Sequence, residues 1–280
     1  MKNKTMKRIL PALLLAALLL AALVLGMTGC GQTQSEPDVS AAAETTAAPA
    51  SDPVTLLEPM DRQAELKAAA KKNEDAKAWL CIPGAEVDDA VMQTENNAYY
   101  LYLDETETYS PWGCYYADCR DTLESREKLT ENTVIYGHAA SDCDKDGPRF
   151  TKLFRYMDAG YVQENPYIYL SVDGEDMIFQ IVAVFVTDTE FDYIRPEFET
   201  EKERAEYLET VARKNLFTID GAAIEDGDKL LTLSTCCTLY DKDDTGDQRL
   251  VIVGKLLPAA AEEAPYTVKN AESPELPGNE

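Results

Sequence analysis

Short hydrophobic runs, rich in β-branched and aromatic residues, dominate the middle of the chain. Eight of these runs are set off by Gly, Pro, Asn or Asp, a pattern that predicts β-strands. The predicted strands are Trp79–Ile82, Val87–Met92, Cys114–Ala117, Thr133–Tyr136, Tyr167–Val172, Met177–Thr187, Leu230–Thr235 and Leu250–Leu256. Eight strands are enough to close a barrel. The pattern therefore predicts a mainly β fold with a few helices.

Three segments have a helical character instead. The first, Asp61 to about Lys77, is rich in Ala, Lys and Glu and begins just after Pro59. A short helix is predicted near Thr151–Met157. A longer helix is predicted near Thr200–Leu216, where apolar residues recur at helical spacing. This long helix lies between the sixth and seventh predicted strands, and its charged outer face is expected to be solvated.

The N-terminus, residues 1–30, has the pattern of an export signal. Four basic residues precede the uncharged apolar run Ile9–Gly26. That run is at the lower limit for a membrane-spanning helix, so a cleaved signal and a retained anchor both stay open. Met27-Thr28-Gly29-Cys30 resembles a bacterial lipobox, which implies lipidation of Cys30. In either anchored form the basic flank keeps the N-terminus cytoplasmic and the main body outside the membrane.

Composition divides the rest of the chain into three parts. Residues 31–59 are rich in Ala, Thr, Ser, Pro and acidic residues, which predicts a flexible tether with little apolar surface to bury. Residues 258–280 have the same character and are predicted to form a disordered acidic tail. Residues 60–257 remain as one compact domain.

The charge of the chain limits its partners. In 280 residues there are 26 Lys and Arg against 51 Asp and Glu, a formal charge of −25. Because phosphate recognition needs a basic face, this balance argues against nucleic-acid binding. Hydrophobic residues make up 45% of the chain, which is enough for one core.

Seven cysteines in an exported protein suggest disulfides at first. A lipidated Cys30 and one catalytic cysteine would leave an odd number, so at least one further thiol would stay reduced. Cys114 and Cys119 are close enough in sequence to pair, but separate thiols are the favoured interpretation. The states of Cys81, Cys143 and Cys237 stay open. No Cys-x-x-Cys pair accompanies the single histidine, so neither a zinc site nor any other cofactor is predicted.

Three residues at predicted strand ends could carry chemistry together. Cys236 ends one strand, His138 follows another, and Arg249 precedes the last. A cysteine nucleophile needs a base or an imidazolium partner, and acyl transfer needs a donor for the developing oxyanion. Taken singly, the three are explained more simply as a buried small hydrophobe, a loop residue and a surface cation.

The flanking residues favour a catalytic role for the three residues together. Thr232-Leu233-Ser234-Thr235-Cys236 resembles the sortase signature Thr-Leu-x-Thr-Cys, and Arg249 follows on the next strand. The stretch from Asn132 to His138 is similar to the sortase histidine segment. Further similar segments are Trp79–Gly84, Val91–Leu101 and Asp146–Phe150. The resemblance covers nearly the whole compact domain in the right order.

The long helix between strands six and seven, preceded by Phe191-Asp192-Tyr193-Ile194, is similar to class B sortases. Class A enzymes lack that helix. Class C enzymes often carry a lid with Asp-Pro-aromatic, whereas here Asp52-Pro53 is followed by Val54.

The resemblance implies an eight-stranded sortase barrel that cleaves a C-terminal sorting signal after Thr and joins the new carboxyl to an amine. Cys236 would form a thioacyl enzyme, His138 would transfer protons, and Arg249 would stabilise the oxyanion. Implied substrate contacts are Asn97, Leu101, Tyr193, Ile194, Ser234 and Thr235. At Cys237 the chain departs from relatives that often have a polar or acidic residue, and the acidic turn Asp241–Asp247 is longer.

The implied partners are a sorting-signal-bearing surface protein or pilin and a peptidoglycan or cell-wall precursor amine, on the outer face of a Gram-positive plasma membrane. Two other functions stay open. A non-catalytic surface lipoprotein that binds a partner would explain the signal, the tether and the acidity, but not the Cys–His–Arg set. An exported cysteine peptidase would share the thiol chemistry but release acids.

Overall fold

The computed structural model describes residues 55–140, 145–242 and 245–278. The strands in these residues are β1 (Ala76–Ile82), β2 (Val87–Met92), β3 (Tyr115–Ala117), β4 (Asn132–Tyr136), β5 (Tyr167–Val172), β6 (Glu175–Thr187), β7 (Phe217–Asp220), β8 (Leu230–Cys236), β9 (Arg249–Leu256) and β10 (Thr267–Asn270). The helices are α1 (Gln63–Lys72), α2 (Ala159–Glu164) and α3 (Glu201–Lys214). Short 3-10 helices cover Pro83–Ala85, Tyr99–Leu101 and Arg149–Met157.

Eight of the strands form a closed barrel in the order β1-β2-β3-β4-β8-β9-β6-β5. The eight strands predicted from the hydrophobic pattern are therefore present, and the barrel that the resemblance to sortases implies is confirmed. Its interior is apolar: Leu80, Ile135, Phe179 and Leu233 are fully buried. Strand β6 is buried along nearly its whole length because its neighbours β5 and β9 pair with it and other elements cover it.

Two strand pairs in the barrel are parallel, β2 with β3 and β4 with β8. In the second pair Tyr136 lies opposite Ser234, so the carboxyl ends of β4 and β8 meet at one edge of the barrel. Strand β9 then runs antiparallel to β8. This topology brings two strand ends and one strand start to the same place.

Helix α3 lies between β6 and β8, the sixth and seventh strands of the barrel along the chain. Thr200 caps it by accepting a hydrogen bond from the backbone N–H of Glu203 at 3.2 Å. Acidic residues in its first turn and basic residues in its last turn interact favourably with the helix dipole. The long helix predicted between these strands is therefore present.

The other two predicted helices differ in detail. Helix α1 ends at Lys72 and not near Lys77, because β1 already begins at Ala76. The short helix predicted near Thr151–Met157 is the 3-10 helix Arg149–Met157, which buries Phe150, Leu153 and Phe154.

Three elements were not predicted from the sequence. Helix α2 is short and is capped by Asp158, whose carboxylate accepts from the N–H of Tyr161 at 2.9 Å. Strands β7 and β10 form a separate two-stranded sheet. The segment expected to be a disordered tail thus contains a strand, which buries Val268 against the barrel core.

The signal or anchor at residues 1–30, with Cys30, and most of the tether lie outside the described residues. Leu56, near the end of the tether, forms a β-bridge with Glu262. Within the described part of the chain, none of the helices has the length and apolar character needed to cross a bilayer.

Candidate active site

Cys236 is the last residue of β8 and is exposed, whereas the six residues before it in the strand are buried. Arg249, the first residue of β9, lies directly opposite Cys236 in the antiparallel pair. Opposed residues in such a pair project from the same face with Cβ atoms about 5 Å apart. The thiol and the guanidinium therefore start from neighbouring positions on one face of the sheet.

His138 follows the carboxyl end of β4. The N–H of Gly137 donates to the carbonyl of Ser234 at 3.3 Å, and the hydroxyl of Thr235 donates to the carbonyl of Gly137 at 2.7 Å. These bonds extend the β4–β8 pairing by one residue and hold His138 beside the strand that carries Cys236.

The His138 ring is held by the loop between β2 and β3. Its Nε2 lies 2.7 Å from the carbonyl oxygen of Leu101. Because a carbonyl oxygen only accepts, Nε2 carries the proton of this hydrogen bond. The ring also stacks on Tyr102, with ring centroids 5.6 Å apart. Nδ1 is then the ring nitrogen left for proton exchange.

His138, Cys236 and Arg249 line one cavity of about 510 Å³. Of the residues that the sequence singled out, Leu101, His138, Tyr193, Ile194, Ser234, Thr235, Cys236 and Arg249 line it. Asn97 is not among the lining residues. Its amide instead donates to Asp118 at 2.9 Å and accepts from the N–H of Cys119 at 2.7 Å.

Sequence reasoning missed part of the cavity lining. The additional lining residues are Tyr116, Tyr136, Gly137, Thr189, Phe191 and Asp192. Four of them fall within segments that carry the family resemblance, so these segments already held a signal: Tyr136 and Gly137 in the histidine segment, and Phe191 and Asp192 before Tyr193. Tyr102 follows Leu101 directly, but nothing in its sequence context points to stacking on an imidazole.

The loop that carries Tyr193 and Ile194 is held by hydrogen bonds from neighbouring elements. Asn132 donates to the carbonyls of Tyr193 at 3.3 Å and Arg195 at 3.0 Å. The Tyr193 hydroxyl lies 2.9 Å from the Ser234 hydroxyl. Arg120 donates to the Ile194 carbonyl at 2.9 Å. This side of the cavity is therefore preformed.

Asp118 is a buried carboxylate beside that wall. Burial opposes its ionisation, but hydrogen bonds from Arg120 and Tyr136 outweigh burial and hold its pKa at about 2. The Tyr136 hydroxyl donates to it at 2.7 Å and Arg120 contacts both of its oxygens. The carboxylate thus stays charged and fixes the Tyr136 side chain at the cavity.

Arg249 is partly held by the turn that precedes it. Its Nη1 donates to the carbonyls of Gly246 at 3.0 Å and Gln248 at 2.8 Å. The turn is itself closed by Asp241, whose carboxylate accepts from the N–H groups of Thr245 at 3.0 Å and Gly246 at 2.7 Å. The long acidic turn therefore supplies part of the support for the guanidinium.

The other described cysteines are poorly placed for catalysis. Burial raises the pKa of Cys81 to about 11 and raises that of Cys114 further, which disfavours the thiolate. Cys114 and Cys119 form no disulfide. Cys237 is buried in the barrel core while Cys236 is exposed, so the adjacent thiols lie on opposite sides of the chain.

Asp121 gives a pH-dependent contribution to stability. Burial raises its pKa to about 7, against hydrogen bonds from Val134 and Thr130 that favour the carboxylate. The pKa of an Asp side chain in the unfolded chain is about 3.9. The contribution of Asp121 to the free energy of unfolding is therefore fully present below about pH 3.9 and is lost as the pH rises through about 7. We expect Asp121→Asn to gain stability relative to the wild type between pH 5 and pH 8, measured by thermal melting. The exposed Asp173→Asn is the control, and an unchanged difference between Asp121→Asn and wild type across this pH range would contradict the expectation.

A thiol, an imidazole and a guanidinium in one cavity at the end of a closed barrel are the groups of a cysteine-dependent acyl-transfer enzyme. The sortase domain model matches residues 80–257. Sortase B of Listeria monocytogenes is 33% identical over 193 residues, which cover 69% of this chain and 74% of that protein.

Solved structures are similar as well. A Staphylococcus aureus sortase B–substrate complex matches with a TM-score of 0.61 and 25% identity, over 71% of this chain and 87% of that one. Clostridium perfringens sortase B matches with a TM-score of 0.60 and 25% identity, over 69% and 99%. The chain belongs to the sortase family, and its relatives place it in class B, as a cysteine transpeptidase.

Proposed function

We propose that this sortase cleaves a C-terminal sorting signal after Thr and transfers the new acyl group to an amine, with Cys236, His138 and Arg249 carrying the chemistry. The observation that supports this most directly is that the three side chains line one cavity at the meeting point of β4, β8 and β9.

In the first half-reaction the Cys236 thiol gives its proton to Nδ1 of His138, and the thiolate sulfur attacks the Thr carbonyl carbon. The carbonyl oxygen gains negative charge, and the Arg249 guanidinium stabilises it. The C–N bond then breaks, and His138 gives its Nδ1 proton to the leaving amine. The product of this half-reaction is a thioacyl enzyme.

In the second half-reaction an incoming amine attacks the thioacyl carbon. It loses a proton to Nδ1 of His138, and the Cys236 sulfur leaves. Because Nε2 stays bound to the Leu101 carbonyl, one ring nitrogen orients the imidazole while the other moves the proton.

The cavity suggests how the sorting signal is held. Leu101, Phe191 and Ile194 supply apolar contacts, and the paired hydroxyls of Tyr193 and Ser234 supply polar ones. A substrate contact at Asn97 stays a prediction. Its hydrogen bonds to Asp118 and Cys119 favour support of the wall.

The relatives support the substrate classes. Sortase B structures include a Staphylococcus aureus substrate complex and a complex with triglycine. For this chain we propose a surface protein or pilin with a sorting signal as the acyl donor, and a peptidoglycan or cell-wall precursor amine as the acceptor.

Peptide turnover with and without an added amine tests the proposal. A peptide library with a central Thr is incubated with the enzyme, with and without triglycine, and the products are identified by mass spectrometry. Transfer to triglycine at the Thr carbonyl supports transpeptidation. Free acid alone would support a peptidase, and absence of any cleavage would support a binding protein.

We place the enzyme at the outer surface of a Gram-positive cell, anchored through residues 1–30. If Cys30 is lipidated, labelled fatty acid enters the wild type and not Cys30→Ser. Full-length, unlabelled protein in the membrane fraction would favour a signal-anchor instead.

Replacement of Arg249 by Lys is expected to raise the activation barrier by roughly 2–4 kcal/mol, the effect of losing one oxyanion donor. The charge is kept, but a single ammonium does not reproduce the planar guanidinium fork. Arg213→Lys, on α3 and paired with Glu275, is the control. Equal kcat/KM values for the two variants would exclude the oxyanion role.

A further inference from the structure

Arg149 lies outside the cavity lining but connects the two loops that determine where His138 sits. Its side chain is only 16% exposed. The backbone N–H of Phe150, the next residue, donates to the carbonyl of His138 at 2.8 Å. Arg149 is therefore the immediate neighbour of a residue whose backbone hydrogen-bonds to that of His138.

The guanidinium of Arg149 reaches the opposite loop, between β2 and β3. Nη2 donates to the carbonyl of Gly113 at 2.6 Å. Nη1 lies 2.7 Å from a carboxylate oxygen of Glu105 and 3.1 Å from one of Asp89. The guanidinium also lies over the ring of Tyr115, 5.2 Å from its centroid. Four groups thus hold one side chain.

Gly113 links this contact to the histidine. Its φ is +50°, and a Cβ at this position would lie 2.6 Å from the carbonyl oxygens of both Tyr100 and Leu101. Gly113 therefore packs directly on the peptide group that accepts the hydrogen bond from Nε2 of His138. A shift of the Gly113 carbonyl would be transmitted to that acceptor.

The backbone of Arg149 is itself in a strained conformation, with φ +51°. A non-glycine residue holds such a conformation only where its surroundings over-determine it. The ion pairs and the Gly113 hydrogen bond are what hold it here. Glycine would adopt the same φ without strain, so the sequence keeps arginine at a position where glycine is the conformationally easier choice.

We propose that Arg149 is a positioning residue for His138, which joins the histidine loop to the loop of Leu101 and so keeps the Nε2 hydrogen bond and the ring orientation. The role of His138 as the proton-transfer group rests on the proposed function. The effect of Arg149 on the His138 hydrogen bond does not depend on that function and can be tested separately.

The single histidine of the chain makes that test direct. With ¹⁵N-labelled histidine, the Nε2–H proton of His138 gives one NMR signal, which is protected from solvent exchange while the hydrogen bond to Leu101 persists. We expect this signal in the wild type and its loss through exchange in Arg149→Gln and Arg149→Gly. Lysine reaches one carboxylate but not all four partners, so Arg149→Lys is expected to recover it only in part.

Lys152→Gln is the matched control for the NMR experiment. It removes a cation from the same 3-10 helix, one whose ion pair is with Glu86, outside the loop between β2 and β3. This variant should keep the protected signal. A protected Nε2–H signal in both Arg149→Gln and Arg149→Gly would overturn the positioning proposal even if the wild type is an active transpeptidase.

Activity provides the second readout. We expect Arg149→Gly to lose roughly 100-fold in kcat, as for a misplaced catalytic group, with KM changed far less because the cavity wall at Tyr193 is untouched. Arg149→Gly also relieves the backbone strain, so it separates lost positioning from lost folding. The wild type could lack transpeptidase activity while Arg149→Gly still loses the NMR signal. That result would support the positioning role of Arg149 and overturn only the proposed function.

Discussion

Cys236→Ala is expected to abolish both cleavage and thioacyl formation. Cys236 is the thiol at the end of the signature strand, it is exposed, and it lines the cavity together with His138 and Arg249. Mass spectrometry of enzyme incubated with a cleavable sorting-signal peptide should detect an acyl adduct on the wild type. The alanine variant should show neither adduct nor product, because among the described residues no other thiol lines the cavity.

Cys119→Ala is the matched control. Cys119 is also a thiol that is not fully buried, but it is absent from the cavity lining. We expect it to retain the adduct and near-normal turnover. If Cys236→Ala were as active as the wild type, Cys236 would not be the nucleophile.

His138→Gln is expected to reduce transpeptidation by at least about 100-fold, the lower range for loss of a positioned acid or base. Glutamine can still donate a hydrogen bond to the Leu101 carbonyl, but it cannot give a proton to the leaving amine or take one from the incoming amine. The measurement is turnover of a sorting-signal peptide with triglycine as the acceptor.

An alkylating reagent provides the control for this variant. At high pH it should still label the cysteine at position 236 in His138→Gln, which would place the defect in proton transfer and not in access to the thiol. Because the chain has a single histidine, no other imidazole can take over. Substantial remaining activity with an unchanged pH profile would require another acid near the signature strand.

The hydrophobic pattern was sufficient to predict the eight strands and most of their bounds, whereas their closure into a barrel was implied by the resemblance to sortases. Strands β4, β8 and β9 carry β-branched or leucine-rich runs, and their burial in the barrel makes such runs necessary. The three candidate catalytic positions lie at the ends of these same strands, but the resemblance of the flanking residues to the sortase signature singled them out. These positions meet at one cavity because β4 and β8 pair in parallel. The local sequence of either strand does not predict that pairing.

The support around the site could not be predicted in the same way. The Leu101 group that holds His138 is a backbone carbonyl, which every residue type has. Asp118 acts on Tyr136 and Arg149 on Gly113, which are distant along the chain, and neither Asp118 nor Arg149 stands in a periodic pattern. Strand β10 is only four residues long, and its one well-buried side chain, Val268, is too little to mark a strand in an acidic segment.

The parallel pair of β4 and β8 also has a consequence for when the enzyme becomes reactive. The side chains of Asn132 and Thr232 hydrogen-bond at 2.7 Å although they are 100 residues apart in sequence. Bringing such distant segments together costs loop entropy first and gains contacts only afterwards, so non-local strand pairs form slowly. Until that pairing forms, Cys236 and His138 do not line a common cavity. If the proposed mechanism holds, transpeptidation therefore requires the pairing of β4 with β8, and an incompletely folded chain has no assembled active site.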